Sequence, residues 1–99
     1  MQVDPRDELT VRRILDPLVR ATGARVVLFG SRARGEARAA SDFDLALVAA
    51  APLPADALAE ARAAFEASSI PFEVDLVDYH RATPELRAAI DRDGVTWPI

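Results

Sequence analysis

An α/β (α+β) fold, a small mixed β-sheet flanked by helices, is what this sequence predicts, and three observations carry the prediction. Three segments repeat their apolar residues at helical spacing. Three short β-branched or alternating runs read as strands. The two kinds alternate along the chain, which places helices over a sheet. Ninety-nine residues lie near the small end of what one core can stabilise, so a single domain over residues 1–99 is expected.

Asp4-Pro5 offers an N-cap with proline at the first helical position, and Val11, Ile14, Leu15, Leu18 and Val19 follow on one face. Gly23 suits the position just past the end of this helix. Pro17 inside the pattern is expected to bend or split it. Arg25 to Phe29 reads as a buried strand, broken by Gly30-Ser31. Arg32 to Ser41 is polar and alanine-rich, one helical turn and then a loop. Phe43 to Val48 is a second strand, and Ala51-Pro52-Leu53-Pro54 is a linker. Ala55 to Ser68 is a helix with Leu58, Ala61 and Phe65 inward. Phe72 to Val77 is a third strand. Pro84 opens a last helix with Leu86 and Ile90 inward, closed by Gly94. The first two strands are joined too briefly for a crossover helix, so antiparallel pairing is expected. The second and third are joined through a full helix, as a parallel crossover requires.

The net charge of −4 disfavours broad contact with a nucleic-acid backbone. All twelve cations are arginine, which excludes a P-loop or Schiff-base lysine. The absence of cysteine excludes disulfides, thiolate zinc sites and a cysteine nucleophile. Acidic residues among the first twenty fit no signal or transit peptide, and no apolar run approaches bilayer length. A cytoplasmic location is the expectation.

Side chains alternate across a strand. Phe43, Leu45 and Leu47 therefore share one face of the second strand, and Asp42, Asp44 and Ala46 the other. On the third strand Glu73 and Asp75 oppose Phe72, Val74 and Leu76. With parallel pairing, Asp75 falls across from Asp44. Such carboxylates repel one another unless solvated, protonated or neutralised by a cation. Oxygen-only ligands, with His80 as the one histidine, suit Mg²⁺ or Mn²⁺ rather than zinc. By periodicity alone Asp-Phe-Asp-Leu reads first as an amphipathic edge strand with a wet face. The preceding loop favours the chemical reading. Gly30-Ser31 follows a buried strand directly, where backbone amides can meet a phosphate. Arg32, Arg34 and Arg38 add a local basic patch.

Gly30-Ser31, ten residues, then Asp42-Phe43-Asp44 resembles the signature of the DNA polymerase β nucleotidyltransferase superfamily. The stretch Gly30 to Leu45 is similar to its minimal nucleotidyltransferase branch. Val74 to Asp78 resembles that branch's third-carboxylate strand, and Pro84 to Trp97 its terminal helix and short tail. The resemblance implies a polymerase β-type nucleotidyltransferase fold with Asp42, Asp44 and Asp75 as catalytic residues and Mg²⁺ (or Mn²⁺) ligands. It implies that Gly30 and Ser31, with Arg32 and Arg34 beside them, bind the nucleotide, with ATP as substrate. Ala39-Ala40 in place of Pro-Asp and Phe43 in place of the commoner isoleucine are departures in the loop and strand. Members of the branch are commonly paired with helical HEPN proteins, often ribonuclease toxins. There the minimal domain acts as antitoxin by transferring AMP to a toxin hydroxyl, typically tyrosine. The alternative is a catalytically idle module that neutralises its partner by steric contact. Transfer to a small molecule, or templated polymerisation, would need further domains.

Four other residues invite a role. Glu73 could replace Asp75 as third ligand. Asp78 reads as a solvated cap, His80 as a surface group, and Trp97 with its apolar neighbours as a packed tail or a partner contact.

Overall fold

The computed structural model describes residues 4–35 and 42–97. Its elements run α1 (Pro5–Thr22), β1 (Arg25–Phe29), α2 (Gly30–Ala33), β2 (Phe43–Val48), α3 (Ala55–Ala67), β3 (Val74–Asp78), a single 3₁₀ turn (Tyr79–Arg81), α4 (Pro84–Asp93) and β4 (Val95–Thr96). The four strands lie in the order β3-β2-β1-β4. β1 pairs antiparallel with β2 and β4, and β2 pairs parallel with β3. The mixed sheet is thus the one the connection lengths predict. β2 is an interior strand, which removes the reading of Asp-Phe-Asp-Leu as an edge. β4 is a short addition: two exposed residues are too few to show a period, and only the pairing of Val95 and Thr96 with Leu28 and Val27 defines them.

Caps set the helix limits as expected. The Asp4 carboxylate accepts from the Arg6 amide at 2.9 Å, and Gly23 ends α1 in the left-handed region. Thr83 caps α4 by accepting from Leu86 N at 3.2 Å. Pro17 does not split α1, which is continuous from Pro5 to Thr22. Pro17 and Arg13 both face solvent, so the Arg13 carbonyl deprived of its helical partner can be met by water.

The sheet separates two apolar layers. Val11, Leu15 and Leu18 of α1 and Leu58, Ala61 and Phe65 of α3 pack on Val26, Leu28, Phe43, Leu45, Leu47 and Leu76. On the other face Val27, Phe29 and Ala46 meet Ile90 of α4. Alternation then consigns Asp44, two residues before Ala46, to the thinner α4 side. Trp97 is 3% exposed, with its ring edge-on to Phe43 at 5.5 Å. The expectation of a partner contact at this ring is therefore corrected: it belongs to the core, while Pro98 and Ile99 lie outside the described residues. Among the described residues, no helix is long and apolar enough to cross a membrane.

Candidate active site

The register decides which acidic residues meet. In the parallel β2–β3 pair Asp44 lies opposite Asp75, and Leu45 opposite Leu76. Asp42 sits just before β2, two residues from Asp44 and on the same side by alternation. Asp42 and Asp75 are exposed and Asp44 is half-buried. Burial foremost, then the charges of Asp75 and Asp42, push the Asp44 carboxyl above its ordinary value; Arg34 and Arg32 offset this in part. The carboxylate is thus held in place against its own electrostatics.

The turn after β1 is built against the same group. Phe29 pairs with Asp44 across β1 and β2, so the chain leaves the sheet directly beside that carboxylate. Gly30 then adopts φ +74°, and a Cβ there would run into the Asp44 carboxylate oxygen. Glycine is required twice, for the left-handed backbone and for the close approach. The glycine in this turn accommodates a carboxylate of the chain itself.

The expected surface patch of arginines is corrected at Arg32. Its guanidinium is turned inward, 8% exposed, with Cζ 4.7 Å from the Phe72 ring centroid and 5.4 Å from that of Phe43. It is buried because two stacked rings offer it a face that solvent does not. Arg34 points to the opposite layer and meets Asp93 of α4 at 3.3 Å. Arg38 lies outside the described residues, as does Ser41. Ser31 is half-buried in α2 beside Gly30, and Glu73 is exposed before β3. Asp75 and Glu73, with Arg62, Phe65 and Phe72, line an open groove of about 350 Å³ beside the sheet edge.

Two residues outside this cluster behave unlike surface groups. Asp78, expected as a solvated cap, is 4% exposed and accepts from Leu53 N, His80 N and Arg81 Nη1. Long-range packing of the Pro52–Pro54 linker over the end of β3 encloses it. His80 donates from Nε2 to the Ala49 carbonyl at 2.6 Å, tying that same linker region to the turn after β3. The Leu53–Asp78 and Ala49–His80 contacts have no local signal, because the two residues of each lie at least 25 positions apart in sequence.

Among the described residues no three acidic or imidazole side chains are gathered tightly enough to hold a metal by themselves. The donor set nevertheless fits a hard divalent cation. It offers only oxygens, its buried member is pressed by two like charges, and a glycine keeps the approach to that member clear.

The comparisons with known proteins agree with this geometry. The family described as "Polymerase beta, Nucleotidyltransferase" matches residues 22–96. The chain belongs to this family. The matched segment of this nucleotidyltransferase includes the Gly30-Ser31 turn and all three aspartates. The chain is 36% identical over 91 residues to a probable protein adenylyltransferase MntA of Haemophilus influenzae, covering 90% of this chain and 78% of that protein. A crystal structure of a toxin–antitoxin with AMP-PNP superposes with a TM-score of 0.72 at 29% identity, over 94% of this chain and 74% of that one. A chain of the complex between a tri-AMPylated Shewanella oneidensis HEPN toxin and its MNT antitoxin superposes with a TM-score of 0.66 at 26% identity, over 95% of this chain and 71% of that one. The likeness runs through β4, the strand that the sequence pattern left as a tail.

Proposed function

We propose that this nucleotidyltransferase transfers AMP from ATP to a hydroxyl, a tyrosine for preference, of a helical HEPN-type toxin, and so acts as its antitoxin. The observation that carries this reading is the pairing of Asp44 with Asp75, with Asp42 beside them and Gly30 folded across Asp44. The relatives supply the substrate class: one is named as a protein adenylyltransferase, one was crystallised with AMP-PNP, and one holds an AMPylated HEPN toxin.

In this reading Asp42, Asp44 and Asp75 would hold Mg²⁺, which would neutralise phosphate charge and supply Lewis-acid stabilisation for in-line displacement at phosphorus. Gly30 and Ser31 seat the triphosphate, with Arg34 at the edge of the turn. The acceptor oxygen forms a bond to the α-phosphorus as the bond to the β-bridging oxygen breaks. Pyrophosphate leaves, and the hydroxyl proton passes to Asp75, the exposed member of the pair. The groove lined by Arg62, Phe72, Glu73 and Asp75 gives the acceptor its approach.

The test is reconstitution with the HEPN-type protein, labelled ATP and Mg²⁺. The partner is expected to take up label and to gain the mass of AMP by mass spectrometry. A complex that assembles and neutralises the toxin, yet never carries a nucleotide, would replace this reading with the steric module.

A further inference from the structure

Among the described residues Arg32 is the one buried cation that adjoins the candidate site, and burying a guanidinium costs free energy unless something faces it. Two aromatic rings do. Phe43 and Phe72 are stacked at 5.3 Å with 21° between their planes, and the Arg32 guanidinium lies over both. The places of these rings in the chain matter. Phe43 separates Asp42 from Asp44 on β2, and Phe72 precedes Asp75 by three residues on the approach to β3. A single side chain from α2 therefore touches both segments that carry the carboxylates.

We propose that Arg32 is a positioning residue, a planar clamp that holds the Gly30-Ser31 turn at a fixed offset from the carboxylates of β2 and β3. Arg34 completes the hold from the other layer through Asp93 of α4. The turn is thereby fastened on both sides of the sheet, although it has only four helical residues of its own. A guanidinium suits this task where an ammonium does not, because its flat face matches a ring over its whole area. The aromatic residue at position 43 supplies one of the two faces. The consequence for nucleotide binding rests on the function proposed above, but the clamp itself does not.

Amide hydrogen exchange measured by NMR, without nucleotide or metal, tests it. The reporter is the Arg34 amide, which donates to the Gly30 carbonyl at 3.2 Å; the control is the Gly94 amide, which donates to Ile90 at the end of α4. Arg32→Lys and Phe72→Leu are each expected to speed exchange at Arg34, by up to roughly thirtyfold, the value of one desolvated cation–π contact. Gly94 is expected to be unchanged. The double variant is expected to do no more than Arg32→Lys alone, since that substitution already removes the contact with Phe72. Weaker binding of a fluorescent ATP analogue with Mg²⁺, by the same factor, is the expected functional consequence. Unchanged exchange at Arg34 in a folded variant overturns the clamp. So does equal acceleration at Gly94, which a merely structural role produces, or multiplicative effects in the double variant. A wild-type chain that transfers no AMP would defeat the proposed function alone, because the exchange experiment uses no substrate.

Discussion

Asp44 and Asp78 lie at opposite ends of the same pair of strands, and the chain treats them in opposite ways. Asp78, opposite Leu47, is enclosed and receives two backbone amides, from Leu53 at 2.9 Å and His80 at 3.0 Å, besides the Arg81 guanidinium. Asp44, opposite another aspartate, is half-buried with its charge disfavoured by its surroundings. Burial alone therefore does not distinguish a chemical carboxylate from a structural one; Asp78 is the more buried. The difference is the supply of donors. Where the fold provides them, the carboxylate fastens a linker. Where the fold provides further carboxylates instead, the charge is left unfavoured, and in the proposed function a cation offsets it.

Substitution at the Asp44 end should have the largest effect and should fall on chemistry. Asp42→Asn and Asp44→Asn are expected to lower AMP transfer by about a thousandfold, given several kcal/mol of metal-borne stabilisation at 1.36 kcal/mol per decade. Both should keep the native circular dichroism spectrum. Full transfer by either variant would break the comparison at its functional arm. Gly30→Val comes next. A branched side chain at φ +74° and in the path of the Asp44 oxygen is expected to abolish nucleotide binding, read by titration with a fluorescent ATP analogue. Unchanged binding would show that the turn plays no part in it.

At the other end the loss should fall on stability. Asp78→Ala leaves two amides and a guanidinium without their acceptor, at a cost of about 2 to 4 kcal/mol in chemical denaturation. Below the unfolding transition, nucleotide affinity is expected to match that of the unaltered chain. Loss of affinity in the still-folded variant would merge the two ends into one functional unit.

The smallest effect sharpens the contrast most. The Asp44 carboxyl is raised, chiefly by burial, so its ionised form opposes folding near neutral pH. The sign follows from proton linkage: a native state that holds this proton more tightly than the unfolded chain gains stability as pH falls through the folded-state value. Asp44→Asn in the metal-free protein is therefore expected to raise the melting temperature by a few degrees at neutral pH. The gain should shrink at mildly acid pH, and Mg²⁺ with nucleotide should no longer stabilise the variant. A lower melting temperature in the metal-free protein would mean that the carboxylate is as well satisfied as Asp78.

The sequence by itself determined the helices, because caps and apolar periodicity are local: Asp4-Pro5 and Gly23 bound α1, and Pro84 opens α4. It determined the three long strands and their senses, because a connection too short for a crossover allows only antiparallel pairing. It also determined the likeness to the nucleotidyltransferase signature, whose residues lie close together from Gly30 to Leu45. Tertiary structure decided the rest. The reasons Gly30 must be glycine include the carboxylate of Asp44, fourteen positions on, brought beside it by strand register. Arg32 looks like a surface cation until Phe43 and Phe72 are stacked beneath it. Asp78 and His80 read as exposed until the linker between β2 and α3 folds over them. β4 exists only because β1 presents an edge to two residues with no period of their own. In each case the deciding partner is distant in the chain, and a local pattern carries no record of which side chains the fold will bring within reach.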